Sequence, residues 1–355
     1  MEIIFTKEKK WLDKWDDYVL NHNIANHLLL SDWNRSFDSY GFEFEICLLV
    51  EAEKIYGGYA GVIAKAAFLK FYIVPFGPVV SEAYLAEFNR LIETVPNRAK
   101  LLKCCYAHIS LPFSKSPNLH AFDESIELSI LKYAKKEHRF KYVYSAYGIN
   151  WKSVQGYASE EDFINSFKPS VRRYIRSAQR KELELRFLKE ELAVKEAYDL
   201  CLENAENNGY ALRDWSSFKE TVLNLIHQDK AHFMGAFFEG KIKGAAFIVK
   251  AGNHYTYILG GTKKEKPDFL AGHFLHFEAM RLAYRMNLSG YNISLGGSQG
   301  VINLKESYAD EQIYFENGKY HWVLRPFYFT MYLFFEKYLK KHKKQIAKLL
   351  TLFKR

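Results

Sequence analysis

Two stretches of the chain share one alternation of apolar and polar positions. "EAEKIYGGYAGVIAKAAFLKFYIVPFG" begins at Glu51 and "FEGKIKGAAFIVKAGNHYTYILGG" at Phe238; Lys54-Ile55 matches Lys241-Ile242 and Gly57 matches Gly244. A period of two, broken by short turns such as Glu239-Gly240, predicts an antiparallel meander in each. After each meander the period lengthens to that of a helix, over 82–94 and 269–285, and a further strand follows at 104–111 and 291–295. Equal offsets through four elements predict a duplicated unit. The expected organisation is α+β: a first domain over 1–150, a second over 151–326, each a mixed, mostly antiparallel sheet flanked by helices, and a separate C-terminal helix over 327–355.

Between the repeats lies "FKPSVRRYIRSAQRKELELR", residues 167–186. Ser159 with Asp162 predicts the start of a short helix, and Pro169 suits the first turn of the next. Val171, Ile175 and Ala178 then form an apolar stripe, beside Lys168, Arg172, Arg176 and Arg180 at every fourth position. One face packs and its neighbour is positive. That positive face is either solvated or turned toward phosphate or carboxylate oxygens, for which the guanidinium forks of Arg172 and Arg176 are suited.

Composition narrows the classes. Among 355 residues, 48% hydrophobic and 17% aromatic content excludes a disordered or fibrous chain. The net charge of +9 favours anionic partners without choosing one. No helix-turn-helix pair, RNP aromatics or zinc spacing accompanies it, so DNA is not an expected partner. Cys47, Cys104, Cys105 and Cys201 form no CxxC, which points away from a metal and from a disulfide framework and toward a reducing, cytoplasmic setting. No apolar run reaches the roughly 18–20 residues of a membrane span. From Lys337 onward there are eight Lys/Arg and no acid, with Leu339, Ile346, Leu349, Leu350 and Phe353 along one face. That pattern fits a helix lying on the inner, anionic face of a membrane, or one docked on the second domain with a solvated tail.

The order meander, helix, parallel strand is that of the GNAT acyltransferase fold. There the helix after the fourth strand offers free N–H groups to a pyrophosphate. The matching stretch is "KPDFLAGHFLHFEAM", where Asp268 opens the helix and Ala271 and Gly272 leave room for close approach. "YNISLGGSQGVINLKESYADE" ends a strand in Gly296-Gly297 and leads into a helix with Lys305 and Tyr308. Acyl transfer to an amine needs a neutral amine and stabilised oxyanion and leaving group. Lys305 can hold negative charge, Tyr308 can protonate a leaving group, and His273 or Glu306 can act as base; His273 also reads as a packed core residue. No Ser-His-Asp, Cys-His, Walker or Rossmann pattern stands out.

With these residues in hand, the chain to about 326 resembles the FemAB family, non-ribosomal aminoacyltransferases that extend peptidoglycan cross-bridges, and related GNAT acetyltransferases of polysaccharide gene clusters. The family's Gly-Gly followed by Phe-Lys looks like Gly296-Gly297 and Leu304-Lys305. Its K-x-x-x-R-x-x-I-R-x-A helix looks like Lys168, Arg172, Ile175, Arg176 and Ala178. Its Tyr-x-x-Pro-x-Gly-Pro looks like Tyr72, Pro75, Gly77 and Pro78, and its early tryptophan and glycine look like Trp33 and Gly41. Several family features are replaced. Leu29-Leu30 stand for Gln-Ser, Phe37 for a basic residue (Arg35 lies nearby), and Leu111 and Ser294 for acids; a single helix over 189–208 stands where a coiled-coil arm would insert. The resemblance implies a tandem GNAT acyltransferase with acetyl-CoA or another acyl-CoA as donor, no metal, and an amino sugar or lipid-linked envelope precursor as acceptor. It implies Tyr72, Arg35, Arg172 and Arg176 on the substrate, and Asp268, Ala271, Gly272, Gly296 and Gly297 on the donor. The alternatives are an aminoacyl-tRNA-dependent cross-bridge enzyme and a catalytically silent binding or scaffold protein.

Overall fold

Both meanders form, and they carry the same irregularity. The computed structural model describes residues 1–114, 134–137, 139–140, 142–297, 299–315 and 318–339. In the first copy β2 (Glu43–Glu51), β3 (Lys54–Ala66) and β4 (Leu69–Val74) run antiparallel; in the second, β10 (Ala231–Phe238), β11 (Lys241–Ala251) and β12 (His254–Thr262) do the same. The first hairpin turns at Ala52 and Glu53 and the second at Glu239 and Gly240, all with positive φ, the conformation a two-residue hairpin turn requires. The register slips by one residue between Leu49 and Val50 opposite Gly57 and Ile55, and between Ala236 and Phe237 opposite Gly244 and Ile242. A bulge at one position in both copies is the mark of a duplicated unit.

Each meander then crosses over through a helix to a parallel strand. In the first copy α3 (Phe88–Leu101) leads to β6 (Tyr106–Ser110), which pairs with β4; in the second α8 (Ala271–Arg285) leads to β13 (Gly290–Asn292), which pairs with β12. The first sheet has the order β1-β2-β3-β4-β6-β15-β7, with β1 Glu2–Thr6, β7 Lys135–Lys136, β15 Lys319–Val323 and a short β5, Val79–Val80, pairing with β3. The second has the order β14-β8-β13-β12-β11-β10-β9, with β8 Gly148–Ser153, β9 Glu184–Leu188 and β14 Glu311–Tyr314.

The expected boundaries differ in two places. β8 straddles the 150/151 division, and β15, expected in the second domain, pairs with β6 of the first sheet. The physical reason is the free edge of β6: an uncovered strand edge presents unpaired N–H and C=O groups, and the returning chain covers them.

The two units share one apolar core. Leu12, Trp15 and Val19 of α1 (Lys9–Asn21), Val194 and Cys201 of α6 (Glu191–Asn207) and Phe218 and Val222 of α7 (Trp215–His227) belong to it. α6 is the single helix expected where the family's arm would insert. On the opposite face of the second sheet, α8 packs with α5 (Pro169–Gln179), whose buried residues are the expected Val171, Ile175 and Ala178. Gly244 makes the start of α8 possible: a Cβ there would lie 2.8 Å from Ala271 Cβ. Gly244→Ala is therefore expected to lower stability by about 1–3 kcal/mol through overpacking, read by denaturant melts; an unchanged midpoint would show that the helix start is free to shift.

Candidate active site

The site is built where β12 and β13 run parallel, from α8, the loop after β13, and α9 (Gln299–Tyr308). Asp268 does not sit in the helix. Its carboxylate accepts from Leu270 N–H at 2.8 Å, Leu270 takes φ 56, and α8 begins at Ala271. The first-turn amides of α8, as in any helix, have no partner within the helix. A Cβ on Gly272 would meet only Thr262 Cγ2, at an ordinary 3.5 Å, so space lies open beside that turn. The exposed Lys263, Lys264 and Lys266 line the loop before it. Free amides, a bare glycine and exposed ammonium groups are what a pyrophosphate needs.

Gly297 takes φ 150, and a Cβ there would collide with Val301 Cβ at 2.9 Å, so this turn into α9 requires glycine. It aims Lys305 back under the loop. Lys305 is buried; its Nζ donates to Ser294 Oγ at 2.8 Å and to Gly296 O at 2.5 Å. Burial lowers its pKa to about 8. Ser294 stands where the family pattern has an acid, so a neutral hydroxyl meets the ammonium where a carboxylate would have neutralised it. One turn on, Tyr308 is buried and its Oη lies 2.8 Å from His273 Nδ1. Desolvation lowers the His273 pKa and raises that of Tyr308, so both are neutral near pH 7. Sequence reasoning chose these three residues, and the fold brings them together.

Other members of the cluster were not anticipated. Tyr174 of α5 stacks on His273, ring centroids 4.4 Å apart. His276, one turn further along α8, packs on Tyr257 and lies near enough to Lys305 for that charge, after burial, to lower its pKa further, to about 3. The signal was present in the i, i+3 spacing of the two histidines, but nothing local distinguishes it from core packing.

The four expected substrate contacts have protein partners of their own. Tyr72 is buried, and its hydroxyl donates to the buried Glu45 at 3.0 Å, beside the bidentate Arg98–Glu45 pair; it holds the first copy together. Arg176 pairs with Glu161 at 2.5 Å, and Arg172 donates to Asn165 O at 3.0 Å. Both are engaged by α4 (Glu160–Asn165), the helix capped by Ser159. Within the basic stripe, Lys168 reaches the site's framework, through Glu306 O at 3.3 Å. Arg35 is exposed, 3.9 Å from Asp32. In the first copy Leu29, Leu30, Phe37 and Leu111 are all buried, so the positions that are polar in the family pattern are core here.

The thiols offer no nucleophile: all four are buried and uncombined, and burial pushes Cys104 up to about 12 and Cys105 to about 11. Among the described residues no group of His, Cys, Asp and Glu could hold a metal, and no helix is long and apolar enough to cross a membrane. The basic C-terminal segment expected beyond 339 lies outside the described residues. Before it, α10 (Pro326–Phe334) continues as a π-helical turn over Phe335–Leu339.

Residues 165–300 match the family model described as an acetyltransferase (GNAT) domain. No curated protein matches the sequence. Among solved structures, FemX superposes with a TM-score of 0.77 at 14% identity, over 93% of this chain and 99% of that one. A conserved protein of unknown function from Bacteroides thetaiotaomicron gives 0.57 at 13% identity, over 90% and 99%. L-PGS from Bacillus licheniformis gives 0.51 at 11%, over 89% and 91%.

Proposed function

Residues 165–300 match the model of a GNAT acetyltransferase domain, in a fold shared with FemX, and we propose that the chain is an acyl-group transferase of the following kind. It moves an acyl group, acetyl in the simplest case, from an acyl-CoA to an amino group on a cell-envelope sugar or its precursor. The observation that carries this is the convergence of Lys305, Tyr308 and His273 beside the open start of α8.

In the tautomer whose Nδ1–H donates to Tyr308 Oη, His273 Nε2 is free to take the proton of the attacking amine. Tyr308 gives its phenolic proton to the departing thiolate and regains one from His273 Nδ1 across the 2.8 Å bond. The nitrogen–carbonyl bond forms, the carbon–sulfur bond breaks, and the amine's proton ends on the thiol. Lys305 meets the oxyanion that develops between these events, with no carboxylate among its hydrogen-bond partners to share its charge. The envelope acceptor rests on the FemAB resemblance. The exposed Phe327, Tyr328, Met331 and Phe334 of α10 support docking at a membrane surface, where a lipid-linked precursor would be met.

The donor is tested by Gly272→Glu, which sets a carboxylate against the bound pyrophosphate. Calorimetric titration with acetyl-CoA should show affinity lowered by roughly tenfold or more, about 1.4 kcal/mol; a folded variant with parental affinity sinks this donor site. The second reading, an aminoacyl-tRNA donor, rests on the FemAB resemblance of the sequence motifs. It requires tight tRNA binding with a steep salt dependence.

A further inference from the structure

Beside the loop that holds Lys305, three tyrosines stand open to solvent at the seam between the two sheets. Tyr144 and Tyr147 belong to the connection entering β8, and Tyr314 ends β14; they are 54%, 37% and 46% exposed. Tyr144 and Tyr147 meet edge to face with centroids 6.3 Å apart. Lys319, the first residue of the returning strand β15, places its ammonium 5.2 Å over the Tyr147 ring. The Tyr147 hydroxyl would lie 3.9 Å from a Cβ built on Gly296, whose carbonyl is bonded to Lys305. The shelf is thus continuous with the active site.

A contiguous group of exposed aromatic rings, unlike one exposed singly, marks a surface that takes a partner or ligand. The three are contiguous in the fold: Tyr314 pairs with Gly148 in the β14–β8 register and Phe315 N–H donates to Tyr147 O at 3.0 Å, which sets Tyr314 beside Tyr147. The shelf joins residues from the first-to-second unit connection, the second sheet and the returning strand, so it exists only when both units are assembled.

We propose that Tyr144, Tyr147, Tyr314 and Lys319 form the acceptor subsite, binding a saccharide ring on the tyrosine faces with an anionic substituent of that sugar at Lys319. Tyrosine faces are electron-rich and apolar while their edges carry hydroxyls. A pyranose presents the complement, a face of weakly positive C–H groups rimmed by hydroxyls. A nucleic acid would also stack, but its phosphate track calls for several cations, and Lys319 is the one cation that meets a ring of this shelf among the described residues. The subsite sets the acceptor's amino group next to the Gly296–Lys305 loop and adds an acceptor address that the donor site does not specify.

The inference rests on the acceptor being a sugar, so its test is independent of the donor. Saturation-transfer NMR with the glucosamine disaccharide and with glucosamine 6-phosphate should show both binding the parent protein, the phosphate more tightly. Tyr144→Ala and Tyr314→Ala, at the two most exposed rings, should weaken both by about tenfold. Lys319→Met should remove the advantage of the phosphate alone. Acetyl-CoA affinity, measured on the same samples, should not move in any of the three. No sugar binding by the parent, equal binding by the tyrosine variants, or a short RNA that binds through these tyrosines where the sugars do not, would each overturn the subsite. Failure of acetyl-CoA to bind the parent would instead count against the donor and leave the sugar result standing.

Discussion

Lys305→Met is expected to cut turnover by about a hundredfold or more while leaving the protein as stable as the parent or more so. Removing one preorganised donor from an oxyanion typically costs that much. The stability half follows from linkage. Lys305 titrates near 10.5 when unfolded and near 8 in the folded protein, because burial disfavours its charge. Below about pH 8 it is charged in both states and the burial penalty, about 3 kcal/mol at 1.36 kcal/mol per unit, is fully present. Between about 8 and 10.5 the unfolded chain holds the extra proton, so this group's contribution to stability rises with pH. Melting curves should show Lys305→Met matching or exceeding the parent at pH 7, with the difference falling in the variant's disfavour as pH climbs toward 10. Retained turnover, or a melting point several degrees lower at pH 7, would contradict the assignment. Ser294→Asp adds a separate arm: a carboxylate beside the Lys305 ammonium, which Ser294 Oγ now meets at 2.8 Å, should raise the lysine's pKa and slow the reaction by sharing its charge.

Asp16→Ala should destabilise the protein by about 3–5 kcal/mol, the largest loss expected from any single change discussed. Asp16 lies on α1 and Lys230 just before β10, so their contact joins the two units. The carboxylate accepts from Lys230 Nζ at 2.6 Å, from Ser31 N–H at 2.8 Å and from Ser31 Oγ at 2.8 Å, and both charged groups are buried. Truncating the acid strands an ammonium in the shared core. Asp16→Ala with Lys230→Met should recover most of the loss, since a buried pair replaced whole by apolar groups is often neutral. Denaturant melts of the four-member cycle decide it, and additive losses would mean the pair is not coupled.

The repeated meander, the crossover helices and the parallel strands were legible because their signals are local. Alternation sets which face of a strand is buried, and two-residue turns close hairpins without outside help. The basic helix was legible too, down to the residues it buries. What its arginines meet was not: Glu161 lies fifteen residues from Arg176 in the chain, and Arg172 turns back to the end of the same preceding helix. Tyr72 was implied as a substrate contact by the family's Tyr-x-x-Pro-x-Gly-Pro pattern, and a strand residue's facing is not fixed until register is known. The pairing of β3 with β2 and β4 turns it inward onto Glu45.

By itself, then, the sequence determined the two copies and their internal order, and it picked out Lys305, Tyr308 and His273 as candidates, because residue type and spacing within one helix or loop suffice for those. Only the tertiary structure decided that Ser294 is the partner of Lys305, that Tyr174 lies on His273, that β15 closes the first sheet, and that one buried ion pair locks the units together. All but the first join chain segments far apart in sequence, and even the first depends on how the loop folds back under α9; such a contact has no local signature. It exists when packing removes water from both sides at once, and the free energy of that removal depends on the whole arrangement.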